Sequence, residues 1–179
     1  MKLGHWVAAI DPGTFESAFL LLDTREMRVR TCSFASNEQI LNEVYKLADA
    51  SLESTQPGSL VIERMENYGN IVGRDILETA EWSGRFFQQY WVHSGGQEPH
   101  WLPRRQVKMH LCGTMRATDA HVRQALLDIW GDRKRAVGKK KSPGPLYGVS
   151  GHLWSALALA VTYQQCRGLT AVPALLETA

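Results

Sequence analysis

The chain has 179 residues, 44% of them hydrophobic and 21% charged, with a formal net charge of +2, the balance of one ordinary globular domain with a single good core. No apolar run approaches the roughly 18 residues needed to span a bilayer, and the N-terminus lacks the basic segment, apolar segment and cleavage site of a signal peptide. A membrane or exported protein is therefore set aside, and a cytosolic one is expected.

The small net charge hides an asymmetry. Residues 1–100 carry 8 Lys and Arg against 14 Asp and Glu, whereas residues 101–179 carry 12 against 4. A basic half beside an acidic half suits a polyanion held on one surface and cations bound by carboxylates elsewhere, although solvated faces of opposite sign would give the same count. Three widely spaced cysteines, Cys32, Cys112 and Cys166, form neither a disulfide framework nor a CxxC metal site and read as core or near-core thiols.

Val7 to Ile10 are an apolar run without helical period, stopped by Asp11, Pro12 and Gly13, which predicts a buried strand entering a tight turn. Ser17 to Leu22 predict a second strand, so Asp11 falls at the C-terminal end of a central strand. A carboxylate there must be hydrogen-bonded, paired or bound to metal, because burying it alone costs several kcal/mol. An Asx-type turn cap would also place an Asp here. Val29 to Phe34 predict a third strand. Ser36 or Asn37 then caps a helix whose Ile40, Leu41, Val44, Leu47 and Ala48 keep a helical period through Ala50.

After a polar linker at 54–58, Ser59 to Ile62 repeat the first pattern: a short apolar strand ending in a carboxylate, Glu63. Parallel neighbouring strands would hold Asp11 and Glu63 within reach of one cation. An irregular segment at 64–73 leads to a helix from about Arg74 to Val92. Its apolar residues cover more than one stripe, which suggests burial in a thick core or a partner, most simply a second copy.

His100 to Leu102 predict a short edge strand, and Pro103 opens a basic helix bearing Arg104, Arg105 and Lys108. Thr118 caps a further helix with Val122, Ala125, Leu126 and Ile129 inward. The run at 131–148, GDRKRAVGKKKSPGPLYG, has six Lys or Arg, four Gly and two Pro and predicts a mobile basic loop without helical or strand period. Its Lys139, Lys140 and Lys141 are candidates for phosphate contact. The last helix, Gly151 to Cys166, carries His152 in its first turn and Leu153, Ala156, Leu157, Ala160 and Val161 toward the core. The segment from 169 is expected to be a tail beyond a single domain over 1–168.

These pieces resemble the RuvC-like Holliday-junction resolvases of the ribonuclease H-like superfamily, in particular those of phages and prophages. Ile10 to Gly13 looks like the family's first-strand I-D-P-G motif, and Val61-Ile62-Glu63 like its fourth-strand acid. Pro103, Val107, Lys108, Gly113, Ala117 and Val122 keep the spacing of its P-x-x-x-V-K segment and the G-x-x-x-A-x-x-x-x-V that follows. His152 to Ala158, HLWSALA, is similar to its C-terminal helix motif. The similarity spans about residues 7–167. Two positions depart from the pattern: Ser155 stands where the family has its final Asp, and Asp119 where the better-known resolvases often carry a lysine.

The resemblance implies a ribonuclease H-like α/β fold, with a mixed five-stranded sheet, helices on both faces, and a homodimer. It implies a structure-selective DNA endonuclease that cleaves Holliday junctions or other branched DNA, in a bacterial or phage-infected cytoplasm. Asp11, Glu63 and His152 would be both catalytic and metal-binding, holding two Mg²⁺ (or Mn²⁺) ions about 4 Å apart. Asp119, Glu66 or Ser155 would complete the site. Arg104, Arg105, Lys108, Arg116 and Lys139 to Lys141 would hold the DNA backbone. The departure at Ser155 leaves a catalytically weakened DNA-binding protein as the alternative. An actin-like ATPase, which also opens on D-x-G, is disfavoured by the short chain and the lack of a second phosphate-binding glycine loop.

Overall fold

The computed structural model describes residues 5–52, 58–66, 69 and 72–167. Most of the expected linker at 54–58, four positions of the irregular segment at 64–73 and the expected tail from 169 lie outside the described residues. No described helix is long and apolar enough to cross a membrane.

Three strands run in succession, β1 (Trp6–Asp11), β2 (Glu16–Asp23) and β3 (Arg28–Ser36), each antiparallel to the one before. Helix α1 (Asn37–Leu52) then crosses to β4 (Ser59–Arg64), which pairs parallel with β1. Helix α2 (Arg74–His93) crosses to β5 (His100–Pro103), parallel to β4. The sheet order is β3-β2-β1-β4-β5, so β1 lies at the centre. This is the expected mixed five-stranded sheet.

Strand β1 is apolar from Trp6 to Ile10 because both of its faces are covered, and alternation puts successive side chains in different cores. Ala8 and Ile10 join Phe19, Leu60 and Ile62 under α1 and α2. Val7 and Ala9 join Leu20, Leu22 and Val61 on the other face, under α3 (Arg104–Cys112), α4 (Asp119–Ile129) and α6 (Leu153–Arg167). Helix α6 fills the centre of that face. From Leu153 to Thr162 every residue except Ser155 is buried, which only a small-residue helix lying close on the sheet allows. The three cysteines are half-buried and free.

Three expectations need correction, the first being that Ile129, expected inward, is exposed at the last turn of α4, where the core-facing stripe ends with Leu126 and Leu127. The run at 131–148 is not a loop without regular structure. Asp132 accepts from the Arg135 amide and starts a short helix, α5 (Arg133–Ala136), and β6 (Gly138–Lys139) pairs with β7 (Ser142–Pro143) in a small hairpin. The hairpin closes through glycines: a Cβ on Gly138 would meet the Gly144 nitrogen at 2.4 Å, and one on Gly144 the Arg135 oxygen at 2.3 Å. Leu146 and Val149 anchor it in the core, and Pro145 accepts from the Val29 amide on β3. Lys139 to Lys141 are thus exposed at a fixed hairpin tip. The third correction is slight: His152 precedes α6, its carbonyl accepting from the Ser155 amide at 2.9 Å.

Candidate active site

The turn after Asp11 is fixed from three sides. A Cβ on Gly13 would meet the Glu16 carbonyl oxygen at 2.3 Å, so only glycine fits there. The Gly13 amide donates to Ser17 Oγ at 3.1 Å, and Asn37 Nδ2 donates to the carbonyls of Gly13 and Thr14 at 3.0 and 3.1 Å. Ser17 and Asn37 are themselves buried. The first residue of α1 therefore ties the β1–β2 turn down and holds Asp11 at the end of the central strand.

The parallel register pairs Ile10 with Ile62. Asp11 and Glu63 accordingly leave two adjacent strand ends side by side, near enough for their carboxyls to share a hydrogen bond. Burial raises both acids. Glu63 is pushed to about 8, by burial first and then by the charge of Asp11, with Arg104 drawing it partly back. Asp11 is also raised by burial, while the bond to Glu63, the charges of Arg104 and His152, and the Ser155 hydroxyl pull the other way. Two buried carboxylates so placed oppose each other's ionisation, and added positive charge relieves that opposition.

Ser155, in the first turn of α6, stands close enough to Asp11 for its hydroxyl to favour the ionised carboxylate. The position that departs from the family pattern still faces the site, as a neutral donor. His152 is exposed, and its ring stacks on Phe34 of β3 with centroids 4.9 Å apart at 16°. The stack fixes the imidazole on the side of Asp11 away from Glu63's strand. Asp11, Glu63 and His152 do not close into one ligand cluster: among the described residues, no three His, Cys, Asp or Glu groups are gathered as a ready metal cage. The buried acid pair nonetheless fits a hard divalent ion, which prefers oxygen donors and would let both carboxylates ionise.

Arg104 is the residue whose place the sequence did not reveal. Its Nη1 lies 3.4 Å from Glu63 Oε2, and its Nη2 donates to Asp119 Oδ1 at 2.7 Å. Burial works against its charge, but Glu63 and Asp119 prevail and hold it more firmly protonated than usual. Asp119 is held low, first by that bond to Arg104. Glu66, the other spare acid, pairs with Arg105 Nε at 3.1 Å. Lys108 lies on the same helix, and Arg116 is exposed in the turn before α4.

A cavity of about 810 Å³ opens between α4 and the start of α6, walled by Asp119, Arg123, Arg133, His152, Trp154 and Ser155 among others. Arg123 lies over the Trp154 ring, 4.9 Å from its centroid. The basic segment at 131–148 meets this cavity at Gly131 to Arg133, and Lys139 to Lys141 are not among its walls.

No family model matches the chain, and no curated protein is a detectable relative. Solved structures do match. A Thermus thermophilus RuvC structure superposes with a TM-score of 0.63 over 92% of this chain and 96% of its own, at 17% identity. T. thermophilus RuvC in complex with Holliday junction substrate superposes with a TM-score of 0.56 over 93% and 97%, at 18% identity. The chain has the ribonuclease H-like fold of RuvC over nearly its whole length.

Proposed function

We propose that this chain is a divalent-metal-dependent endonuclease that cleaves Holliday junctions or other branched DNA. The observation that carries it is the buried Asp11–Glu63 pair at adjacent ends of β1 and β4, in a chain folded like a protein whose structure is known with a Holliday junction. Such a pair has no use in a plain core, where apolar residues would be more stable.

Asp11 and Glu63 would hold Mg²⁺ or Mn²⁺, with His152 or Ser155 on the side of Asp11 remote from Glu63. When bound, two such ions would activate the attacking water and stabilise the leaving 3′ oxygen, giving 5′-phosphate and 3′-hydroxyl ends. The chain's own residues prepare this chemistry. Gly13, Ser17 and Asn37 fix the backbone that carries Asp11. The Ser155 hydroxyl lies beside the Asp11 carboxylate and favours its ionised form. Phe34 keeps the His152 ring in one orientation, from which it can ligate or take up a proton. Arg105, Lys108, Arg116 and Lys139 to Lys141 would hold phosphates, giving affinity without base readout. Branch selectivity would come from the spacing of two sites in a homodimer.

A second reading has its own support. Arg104 leans on Glu63 and Ser155 is not an acid, which favours a catalytically weakened DNA-binding protein of the same fold. Incubating the protein with end-labelled four-way junction and with linear duplex in Mg²⁺ separates the two. Paired nicks near the branch point, with the duplex spared, support the endonuclease; tight junction binding with no nick in Mg²⁺ or Mn²⁺ supports the second reading.

A further inference from the structure

We infer that Arg104 is a built-in competitor for the metal site: tethered by Asp119, it covers Glu63 until a divalent ion arrives, and so sets how tightly that ion binds. The inference rests on the metal-dependent reading above and goes beyond it, because it gives Arg104 and Asp119 a joint role separate from holding DNA or supplying a ligand.

The strand register brings the arginine there. Glu63 pairs with Leu102 and Arg64 with Pro103, so Arg104, the first residue of α3, emerges beside the end of β4. Its two ion pairs are unequal. The contact with Glu63, whose side chain is 12% exposed, is 3.4 Å; the contact with Asp119, whose side chain is 76% exposed, is 2.7 Å. The short bond is the outer one. Asp119 is the first residue of α4, next to the Thr118 capping box with His121, so the carboxylate sits on a fixed helix start, where negative charge is favoured. Arg104 can therefore leave Glu63 without losing its better partner.

The movement also has a direction, because the Asp119 end of the tether borders open space. The cavity of about 810 Å³ has Asp119 in its wall, together with His152 and Ser155. When Glu63 takes up a divalent ion, the Arg104 guanidinium would withdraw toward Asp119, keeping its 2.7 Å bond there. Asp119 thus weakens the competition by giving the displaced arginine a resting place.

The probe is Mn²⁺ alone, titrated calorimetrically into the wild-type protein, Arg104→Gln, Asp119→Asn and the double variant, with Asp11→Asn identifying the heat that belongs to this site. Removing a competing unit charge a few ångströms away should tighten Mn²⁺ by about tenfold. Asp119→Asn, which takes away the resting place, should weaken it several-fold. In the Arg104→Gln background the Asp119 substitution should have almost no effect, since the two residues act as one unit. Arg104→Met, which keeps the apolar stem, replaces Arg104→Gln if the latter disturbs the start of α3. Equal weakening by Asp119→Asn in both backgrounds would make Asp119 a ligand or a bare charge and overturn the inference, as would unchanged affinity in Arg104→Gln. If wild type binds no Mn²⁺, the metal-dependent reading fails and this inference with it; binding with purely additive effects overturns the inference alone.

Discussion

Glu63 carries the clearest consequence at the scale of single residues. Its carboxyl binds a proton far more tightly in the folded chain than its ordinary value of 4.5 allows, up to about 8. A group raised on folding contributes stability that is complete below its unfolded value and is lost as pH climbs through its folded one. Asp11 is raised in the same sense, whereas Asp23 and Asp119 are lowered and lose their contribution only below about their ordinary 3.8. The metal-free protein should therefore become less stable between about pH 5 and pH 8. Melting temperatures measured in chelator across that range should fall, and Glu63→Gln should flatten the fall; a flat wild-type profile would mean the two carboxyls do not share a buried site. Asp11 and Glu63 were legible because each ends an apolar run where a charge is costly. Arg104 was not, because its partners lie 41 and 15 residues away and only the β4–β5 register brings them together.

At the scale of elements, the strands and long helices followed from periodicity because burial imposed it. Strand β1 reads as one apolar run since both its faces are covered, and Thr118 announced α4 by its hydroxyl, though the reciprocal cap comes from His121 rather than the usual Glu or Gln. The segment at 131–148 misled because glycine, proline and lysine mark open loops and tight hairpins alike. What decides is long-range: the Asp132 cap, Leu146 in the core and the bond from Val29 to Pro145. Its lysines are therefore presented at a fixed place. Replacing Lys139, Lys140 and Lys141 by Ala should weaken branched and linear DNA alike and lower the slope of log affinity against log salt by up to ~2.7 if all three meet phosphates. Anisotropy titrations at several salt concentrations give that slope, and an unchanged value would return the hairpin tip to an ordinary solvated surface.

For the whole molecule, the open question is what covers α2. Phe86 and Tyr90 are buried against the sheet, but Leu77, Trp91 and Val92 remain 56%, 41% and 53% exposed, more apolar surface than one core-facing helix needs. A homodimer through this face would set two acid pairs at a fixed spacing, as symmetric cuts across a branch require. Leu77→Glu should shift the sedimentation coefficient from dimer toward monomer and reduce paired cutting more than single nicking. A wild-type monomer at micromolar concentration would instead leave branch choice to one chain.

If the carboxylate pair on β1 and β4 is a nuclease site, cleavage depends on the Asp11 charge. Asp11→Asn preserves the volume of the side chain and its turn while removing the charge, so the fold and junction binding should survive. The decisive measurement is Mg²⁺-dependent nicking of a four-way junction by wild type and Asp11→Asn at equal junction occupancy. The account predicts cleavage by wild type and none above buffer by the variant. Equal cleavage by both would contradict it.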